Sequence, residues 1–342
     1  MKTLHKDYIS TTHTTEKISS SKLINILDIT FEEKDQLNEL TNQLIEEFEF
    51  AENPDFIYYA SLFALRLPQR ILKYLHDFKY KEDNYGVCVI RGYEIDHEKI
   101  GSTPNVPSNG KNDVLREEIL LILFNAVLGN LFSWSTQRDG AIINDILPMK
   151  GHEKEQLSTA SETLLEWHIE EAFHHCRPDN LSLLCLRNDD KIATTFCSVN
   201  KVDLPEEIKK VLFQPRFVIA TDNNFNSDKF SHPELKPVLF GAYEDPYICI
   251  DPAFMHAAEG DEEAMKALDF IYDQINNRLD PVVLEPGDFC FIDNYRAVHG
   301  RKPFKPKYDG NDRWLKRVLT TRDLRKSRAI RKNAMSRVLI TE

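Results

Sequence analysis

The stretch "DFCFIDNYRAVHGRKPF", residues 288–304, sets the short apolar run "FCFI" shortly before a single histidine, His299, and a group of arginines. It follows "PVVLEP", so the two runs have a strand, turn, strand pattern. Runs of the same kind recur from about residue 140 onward: "LSLLCLR", "ATTFCSV", "RFVIA", "PVLFGAY" and "PYICID". Many short strands at close spacing predict an antiparallel sandwich or jelly roll.

The N-terminal third has helical patterns instead. "TFEEKDQLNELTNQLIEEF" combines a capping box, Thr30 to Glu33, with an apolar stripe, and "FIYYASLFALRLPQRILKYLHDF" and "DVLREEILLILFNAVLGNLF" are also helical. We therefore predict a mainly β fold with flanking helices (α+β). Residues 1–22 are expected to form a flexible tail and residues 23–342 a single domain, helical over about 23–85, with its β core over about 85–325.

The composition excludes several classes of function. With 43 Lys and Arg against 55 Asp and Glu, the net charge of −12 argues against a nucleic-acid partner. No apolar segment approaches the length of a membrane span, and no secretory signal is evident. The six cysteines form no CxxC pair, which predicts reduced thiols and a cytoplasmic protein. The sequence leaves open whether the chain forms a homo-oligomer.

A second histidine motif lies upstream in "ETLLEWHIEEAFHHCRPDN". On an extended backbone, the side chains of His168 and Glu170 point to the same side. A helical zinc-protease motif would need a second histidine four residues after His168, and position 172 is alanine. His299 follows 131 residues later. Two histidines and one carboxylate that leave adjacent positions open are the ligand set of non-haem Fe(II) oxygenases. Taken alone, an H-x-E triplet is weak evidence in a chain with 11 histidines and 55 acidic residues.

Two arginines follow His299 at plus 14 and plus 18, Arg313 and Arg317. Their spacing fits one face of a helix or of a strand, and the run "VLTT" favours a strand. Two guanidiniums directed into one pocket require anions to meet them. The alternative is that both lie on the surface and pair with Asp312 or Asp323.

Together these motifs resemble the clavaminate synthase-like branch of the Fe(II)/2-oxoglutarate dioxygenases, over about residues 85–325. The resemblance implies a double-stranded β-helix (jelly roll) core. Within the branch, "LEWHIEEAFHHCRPDNLSLLCLRN" and "DNYRAVHGRKPFKPKYDGNDRWLKR" are most similar to bacterial hydroxylases of free arginine and lysine. Such an enzyme would use Fe(II), 2-oxoglutarate and O2 and would release succinate and CO2.

The resemblance also implies roles for individual residues. His168, Glu170 and His299 would bind the iron, and Arg313 the distal carboxylate of 2-oxoglutarate. Thr195 would assist Arg313, although the neighbouring Thr194 leaves the register open. Arg317 would hold the α-carboxylate of the amino acid and Gln137 its α-amine. The run "DNYR", with Asp293, Asn294 and Tyr295, is expected either to orient His299 or to cap a turn.

The side chain of the substrate is predicted from "PYICID", which ends at Asp251. This acid would meet a cationic group, unless it only caps the turn before Pro252. Arginine-specific relatives resemble this chain but have a second acid two positions later, where this sequence has Ala253. We therefore predict L-lysine, hydroxylated at C4 in preference to C3. Residues 217–237 are expected to form a lid in which Asp222 contacts the substrate.

Other functions remain open on the sequence alone. They are an L-arginine 3-hydroxylase, an oxygenase acting on a protein side chain or on a carrier-bound amino acid, a zinc hydrolase, and a non-catalytic jelly-roll binding protein.

Overall fold

The strands of the computed structural model follow the predicted pattern. The structure describes residues 24–81, 85–107, 114–155, 158–220 and 234–340, so the predicted tail, Asp222 and most of the predicted lid lie outside the described residues. In chain order the strands are β1 (Asn25–Asp28), β2 (Val87–Arg91), β3 (Asn130–Trp134), β4 (Asn144–Ile146), β5 (Leu165–His168), β6 (Asn180–Arg187), β7 (Ala193–Ser198), β8 (Phe217–Ile219), β9 (Leu239–Gly241), β10 (Pro246–Ile248), β11 (Met255–Ala257), β12 (Asp280–Val283), β13 (Phe289–Asp293), β14 (Ala297–Arg301), β15 (Trp314–Thr321) and β16 (Val338–Leu339).

Two sheets face each other. The larger sheet has the order β1-β2-β13-β6-β15-β3-β16, with β4 also paired to β15, and the smaller has the order β12-β7-β14-β5. Leu183 and Cys185 of β6 pack toward the smaller sheet, whereas Leu184 packs on the opposite side. This alternation is the strand pattern that was predicted from the sequence. The predicted jelly-roll core with flanking helices is confirmed.

Helices cover the outer faces of both sheets. In chain order they are α1 (Phe31–Glu47), α2 (Pro54–Phe63), α3 (Gln69–Tyr80), α4 (His97–Ile100), α5 (Leu115–Leu128), α6 (Glu206–Leu212) and α7 (Glu262–Asn276). α1, α2, α3 and α5 pack on the larger sheet, and α6 and α7 pack on the smaller one. Among the described residues, no helix combines the length and apolar character that crossing a bilayer requires.

Local chemistry explains where these helices begin and end. Thr30 Oγ1 accepts a hydrogen bond from Glu33 N at 3.2 Å, and Glu33 Oε2 accepts one from Thr30 N at 2.8 Å, which is the predicted capping box. The helix predicted over residues 56–78 is divided into α2 and α3. Leu67 is extended, with ψ of 152°, because the following Pro68 disfavours the helical conformation at the residue before it.

Candidate active site

The strand register brings the two distant histidines together. β14 lies between β7 and β5 in the smaller sheet, and His299 is the cross-strand partner of His168. Nε2 of each histidine lies 3.5 Å from Oε2 of Glu170, and the two imidazole ring centres are 4.6 Å apart. Three donor atoms from a strand pair and the segment after it therefore converge on one point.

Glu170 reaches this point because the backbone after β5 remains extended. Ile169 points the other way and is fully buried against the outer core of the smaller sheet. Asn294 fixes the backbone of Glu170 from both sides: its Oδ1 accepts from Glu170 N at 2.8 Å, and its Nδ2 donates to Glu170 O at 2.9 Å. The sequence-based expectation that Asn294 orients His299 is therefore wrong in its target, since this side chain positions Glu170.

His168, Glu170 and His299 shift one another's pKa values. Burial opposes protonation of His168, but its hydrogen bond to Glu170 and the charge of Asp251 raise the pKa of His168 to about 9. Burial and the neighbouring His168 lower the pKa of His299 to about 4. Burial opposes ionisation of Glu170, yet Arg317 and the two histidines hold its pKa well below its usual range. Glu170 and Asp251 thus favour positive charge at the imidazoles, which a metal cation can supply.

The donor set fits a divalent iron. Two imidazole nitrogens and one carboxylate oxygen grip an ion from one side and leave adjacent positions for other ligands. Donor atoms about 3 Å apart suit a metal with bonds of roughly 2.1 Å, and the 3.5 Å separations are close to that. His168, Glu170 and His299 are therefore the residues that could hold the metal.

Arg313 stands just before β15 and lines the same cavity as the three donors. It is buried, its Nη2 donates to Thr194 Oγ1 at 3.1 Å, and no carboxylate within the described part of the chain forms an ion pair with it. Burial lowers the pKa of Arg313 to about 10. A buried guanidinium without an acidic partner is costly unless an anion meets it, so Arg313 can receive a carboxylate from a ligand.

The structure selects Thr194 rather than Thr195 as the neighbour of Arg313. Thr194 is the cross-strand partner of Arg301 and lines the cavity. Thr195 is one residue further along β7 and faces the other side of the sheet, with Cys197. The choice of Thr195 was therefore wrong by one residue, because two consecutive threonines in a strand give no sign of which one faces inward.

Arg317 lies within β15 and lines the same cavity as Arg313. Its Nη1 donates to Glu170 Oε1 at 2.5 Å and its Nη2 to Gln137 Oε1 at 2.8 Å. Gln137 Nε2 in turn donates to Glu171 Oε1 at 2.5 Å. Two predicted residues, Arg317 and Gln137, thus belong to one hydrogen-bonded chain although they lie 180 positions apart in the sequence.

All of these groups line one cavity of about 280 Å³, which is open to solvent at one end. Asp251, Ala253 and Phe254 form part of its wall next to His168. Asp251 also caps a turn, because its Oδ1 accepts from Ala253 N at 3.0 Å. The two predicted roles of Asp251, pocket residue and turn cap, are therefore compatible.

The sequence analysis missed five charged residues that line the same cavity: Arg138, Asp145, Glu166, Glu171 and Arg301. All but Asp145 stand one or two positions from a residue that was predicted, so strand alternation or direct adjacency was the available signal. Glu171 has a φ of 54°, which turns the chain sharply after the metal-ligand motif. Arg301 donates to the carbonyls of Ala160 and Thr163 and so holds the loop before β5.

Comparisons with known proteins agree with this geometry. The model of the family "Taurine catabolism dioxygenase TauD, TfdA family" matches residues 135–319. The chain is 37% identical to enduracididine beta-hydroxylase of Streptomyces hygroscopicus, over 89% of this chain and 96% of that protein. It is 36% identical to the L-ornithine/L-arginine 3-hydroxylase of Catenulispora acidiphila, over 84% of this chain and 92% of that protein.

A more distant relative is the L-lysine 4-hydroxylase of Chitinophaga pinensis, 30% identical over 82% of this chain and 76% of that protein. Among solved structures, the non-heme iron oxygenase OrfP in complex with Fe and alpha-ketoglutaric acid matches with a TM-score of 0.86 and 40% identity, over 92% of this chain and 99% of that chain. OrfP in complex with Fe and L-Arg matches with a TM-score of 0.82 and 38% identity, with the same coverage. With its matching family model, its metal-ligand geometry and these relatives, the chain belongs to the TauD/TfdA dioxygenase family, in the clavaminate synthase-like branch of iron- and 2-oxoglutarate-dependent amino-acid hydroxylases.

Proposed function

We propose that this protein hydroxylates a free basic amino acid, with Fe(II), 2-oxoglutarate and O2. The observation that carries the proposal is that two guanidiniums, the buried Arg313 and the half-buried Arg317, line one cavity together with the three candidate metal ligands. Arg313 lacks an acidic partner among the described residues, and Arg317 is linked to Gln137 and Glu171. One receives the co-substrate and the other receives the amino acid.

Arg313, with Thr194 beside it, holds the distal carboxylate of 2-oxoglutarate. His168, Glu170 and His299 hold the iron. When bound, the iron and 2-oxoglutarate supply the oxidation, which yields succinate and CO2 and adds one oxygen atom to the amino acid. The protein contributes the orientation of the reactants within a cavity of about 280 Å³.

The amino acid is oriented by its α-groups. Arg317 receives the α-carboxylate, and Gln137 with Glu171 receives the α-amine, because an amide oxygen and a carboxylate accept from an ammonium. A carbon near the α-carbon is thereby placed at the metal site. A protein side chain or a carrier-bound amino acid has no free carboxylate for Arg317, so Arg317 argues against such substrates.

The side chain of the substrate is cationic and is held at the Asp251 end of the cavity. Two cations remain candidates. The guanidinium of L-arginine, with hydroxylation at C3, is supported by relatives that share 36–37% of their residues with this chain. The ammonium of L-lysine, with hydroxylation at C4, is the choice made from the sequence and is supported by Ala253, which adds no second acid next to Asp251. We place arginine first and lysine second.

A substrate screen tests this function. The purified protein is incubated with Fe(II), 2-oxoglutarate, O2 and each of the twenty amino acids or L-ornithine, and succinate and product mass are measured. Succinate formation and an oxygenated product with a basic amino acid alone are expected. Efficient hydroxylation of lysine with none of arginine would reverse our order, and turnover with zinc in place of iron would favour the hydrolase alternative.

We also infer a cytoplasmic location. All six cysteines are buried and form no disulfide, as expected where thiols remain reduced.

A further inference from the structure

Arg301 is a buried cation of the cavity wall that has no role in the proposed function. It lies two residues after His299 on β14, and both side chains line the cavity. Arg301 is only 3% exposed, and no carboxylate in the described part of the chain forms an ion pair with it. A buried guanidinium without an acid is costly, so its position calls for a functional explanation.

The guanidinium of Arg301 holds a loop. Its Nη1 donates to Ala160 O, and its Nη2 donates to Thr163 O at 3.0 Å. Its Cζ lies 5.2 Å from the centre of the Phe304 ring, and Phe304 N donates to Ser161 O at 2.8 Å. These contacts fasten the loop before β5 to the end of β14.

This loop, residues 158–164, is called the β5 loop below and forms part of the cavity wall. Ser158 and Thr159 belong to it and line the cavity. The loop continues directly into β5, which ends at His168. Its position therefore affects the shape of the space in which an amino acid would bind.

Arg301 also lies close to Arg313. Arg301 is the cross-strand partner of Thr194, so their side chains start from neighbouring positions on one face of the smaller sheet. Arg313 reaches the same threonine, because its Nη2 donates to Thr194 Oγ1 at 3.1 Å. Burial first, and then the charge of Arg313, lower the pKa of Arg301 to about 10. Two buried guanidiniums thus approach one threonine and repel each other.

An anion at Arg313 would change this balance of charge. Like charges repel more strongly where water is excluded, so the repulsion from Arg313 disfavours the buried position of Arg301. A carboxylate bound to Arg313 neutralises one of the two charges. Arg301 is then held more firmly at the two carbonyls of the β5 loop, and the loop is held with it.

We propose that Arg301 is a positioning residue that couples the co-substrate site to the amino-acid site. When the distal carboxylate of 2-oxoglutarate lies at Arg313, Arg301 holds the β5 loop more firmly, and the amino acid binds more tightly. The proposal rests on the proposed function, which assigns that carboxylate to Arg313. Such coupling is reciprocal, so the amino acid also tightens the binding of 2-oxoglutarate.

The test compares two keto acids that differ at one end. 2-Oxoglutarate carries the distal carboxylate, and 2-oxopentanoate has a methyl group in its place. Calorimetry under anaerobic conditions measures the Kd of L-arginine, or of L-lysine if the substrate screen selects it, for the Fe(II)-loaded protein saturated with each keto acid. Arg301→Gln removes the charge, and Arg301→Lys keeps it. Lys302→Gln is the matched control, because Lys302 is exposed and does not line the cavity.

For the wild type and for Lys302→Gln, we expect the Kd of the amino acid to be about tenfold lower with 2-oxoglutarate than with 2-oxopentanoate, a typical size for coupling between two sites. In Arg301→Gln this ratio should fall to about one, because no charge is left for the anion at Arg313 to relieve. Arg301→Lys should give an intermediate ratio, since it keeps the charge but not the planar pair of donors.

Hydrogen exchange of the backbone amides of the β5 loop reports its position without any turnover. 2-Oxoglutarate should slow this exchange in the wild type, because a more firmly held loop opens less often. It should leave the exchange nearly unchanged in Arg301→Gln, and 2-oxopentanoate should slow the exchange in neither protein.

Two results would overturn the proposal. One is an Arg301→Gln variant that keeps the wild-type ratio even though both Kd values rise, because Arg301 would then have only a structural role. The other is a wild type in which both keto acids give the same Kd for the amino acid and the same exchange in the β5 loop, a comparison that holds even if Arg301→Gln does not fold. Failure of the proposed function looks different, since the wild type would then form no succinate with any basic amino acid and no charge-transfer band with Fe(II) and 2-oxoglutarate.

Discussion

Arg317 holds one oxygen of the Glu170 carboxylate and leaves the other to the two histidines. Its Nη1 donates to Oε1 at 2.5 Å, while Oε2 lies 3.5 Å from Nε2 of His168 and of His299. The candidate metal ligand Glu170 and the residue proposed to bind the substrate carboxylate are therefore in direct contact. We expect substrate binding at Arg317 to affect how Glu170 binds the metal.

Removal of any one ligand should release the metal. We expect His168→Ala, Glu170→Ala and His299→Ala each to abolish substrate-dependent succinate formation and to lower the bound iron, measured by elemental analysis after gel filtration. His256→Ala is the control, because His256 is exposed and lies outside the cavity. Near wild-type turnover and iron content in one of the three variants would remove that residue from the triad.

Arg313→Ala should raise the 2-oxoglutarate concentration needed for half-maximal rate by at least about tenfold, because a charge-assisted contact to a carboxylate is lost. The KM of the amino acid should change little. Arg325→Ala serves as the control, since Arg325 is exposed. A rise in the amino-acid KM alone would mean that the roles of Arg313 and Arg317 are exchanged.

Asn294→Ala should weaken iron binding without touching the metal. The side chain makes three hydrogen bonds, to Glu170 N, Glu170 O and Pro178 O, and these fix the backbone from which the ligand projects. Loss of such support typically costs about 10–100-fold in metal affinity. The iron affinity is measured by anaerobic titration with Fe(II), followed through the charge-transfer band that forms with 2-oxoglutarate. Asn294→Asp keeps the oxygen that accepts from Glu170 N and removes the amide donor to Glu170 O and Pro178 O. An unchanged iron affinity in Asn294→Ala would contradict this role.

Asp251→Asn should weaken the binding of the basic amino acid and leave the uncoupled turnover of 2-oxoglutarate intact. The amide oxygen can still accept from Ala253 N, so the turn cap is kept while the negative charge is removed. Succinate release with and without the amino acid measures both effects. Unchanged kinetics with the basic amino acid would move the partner of the cation elsewhere, first to Asp222.

Lys316→Met tests the buried ion pairs that Lys316 forms with Glu118 and with Asp145, which lines the cavity. Lys316 is buried on the opposite face of β15 from Arg317, and its Nζ lies 2.9 Å from Glu118 Oε1 and 2.7 Å from Asp145 Oδ1. Its removal takes the ion-pair partner from the buried Glu118 and leaves Asp145 with the more distant Arg138, at 3.8 Å, which should lower the free energy of unfolding by about 3–5 kcal/mol. Urea denaturation measures the change. Lys302→Met, at an exposed position, should be neutral.

The sequence by itself predicted the elements and brought out the candidate metal ligands. The capping box at Thr30 and the alternation in β6 are local patterns, and neighbouring residues set them through backbone sterics and solvent exposure. His168, Glu170, His299, Arg313 and Arg317 stood out by motif and spacing and received their expected roles from the family resemblance, and the structure brings all five to one cavity. The same patterns could not choose between Thr194 and Thr195, since either residue of a strand can face the interior.

Tertiary structure alone decided the contacts between residues that are far apart in the chain. Asn294 lies 124 residues from Glu170 in the chain. The two residues meet because the turn between β13 and β14 passes beside the backbone of Glu170. The pairing of Ile169 N with Ile250 O, which sets Asp251 near His168, likewise depends on two segments that are distant in sequence. Register and loop path set such encounters through the packing of the whole core, and no local pattern of residues encodes them.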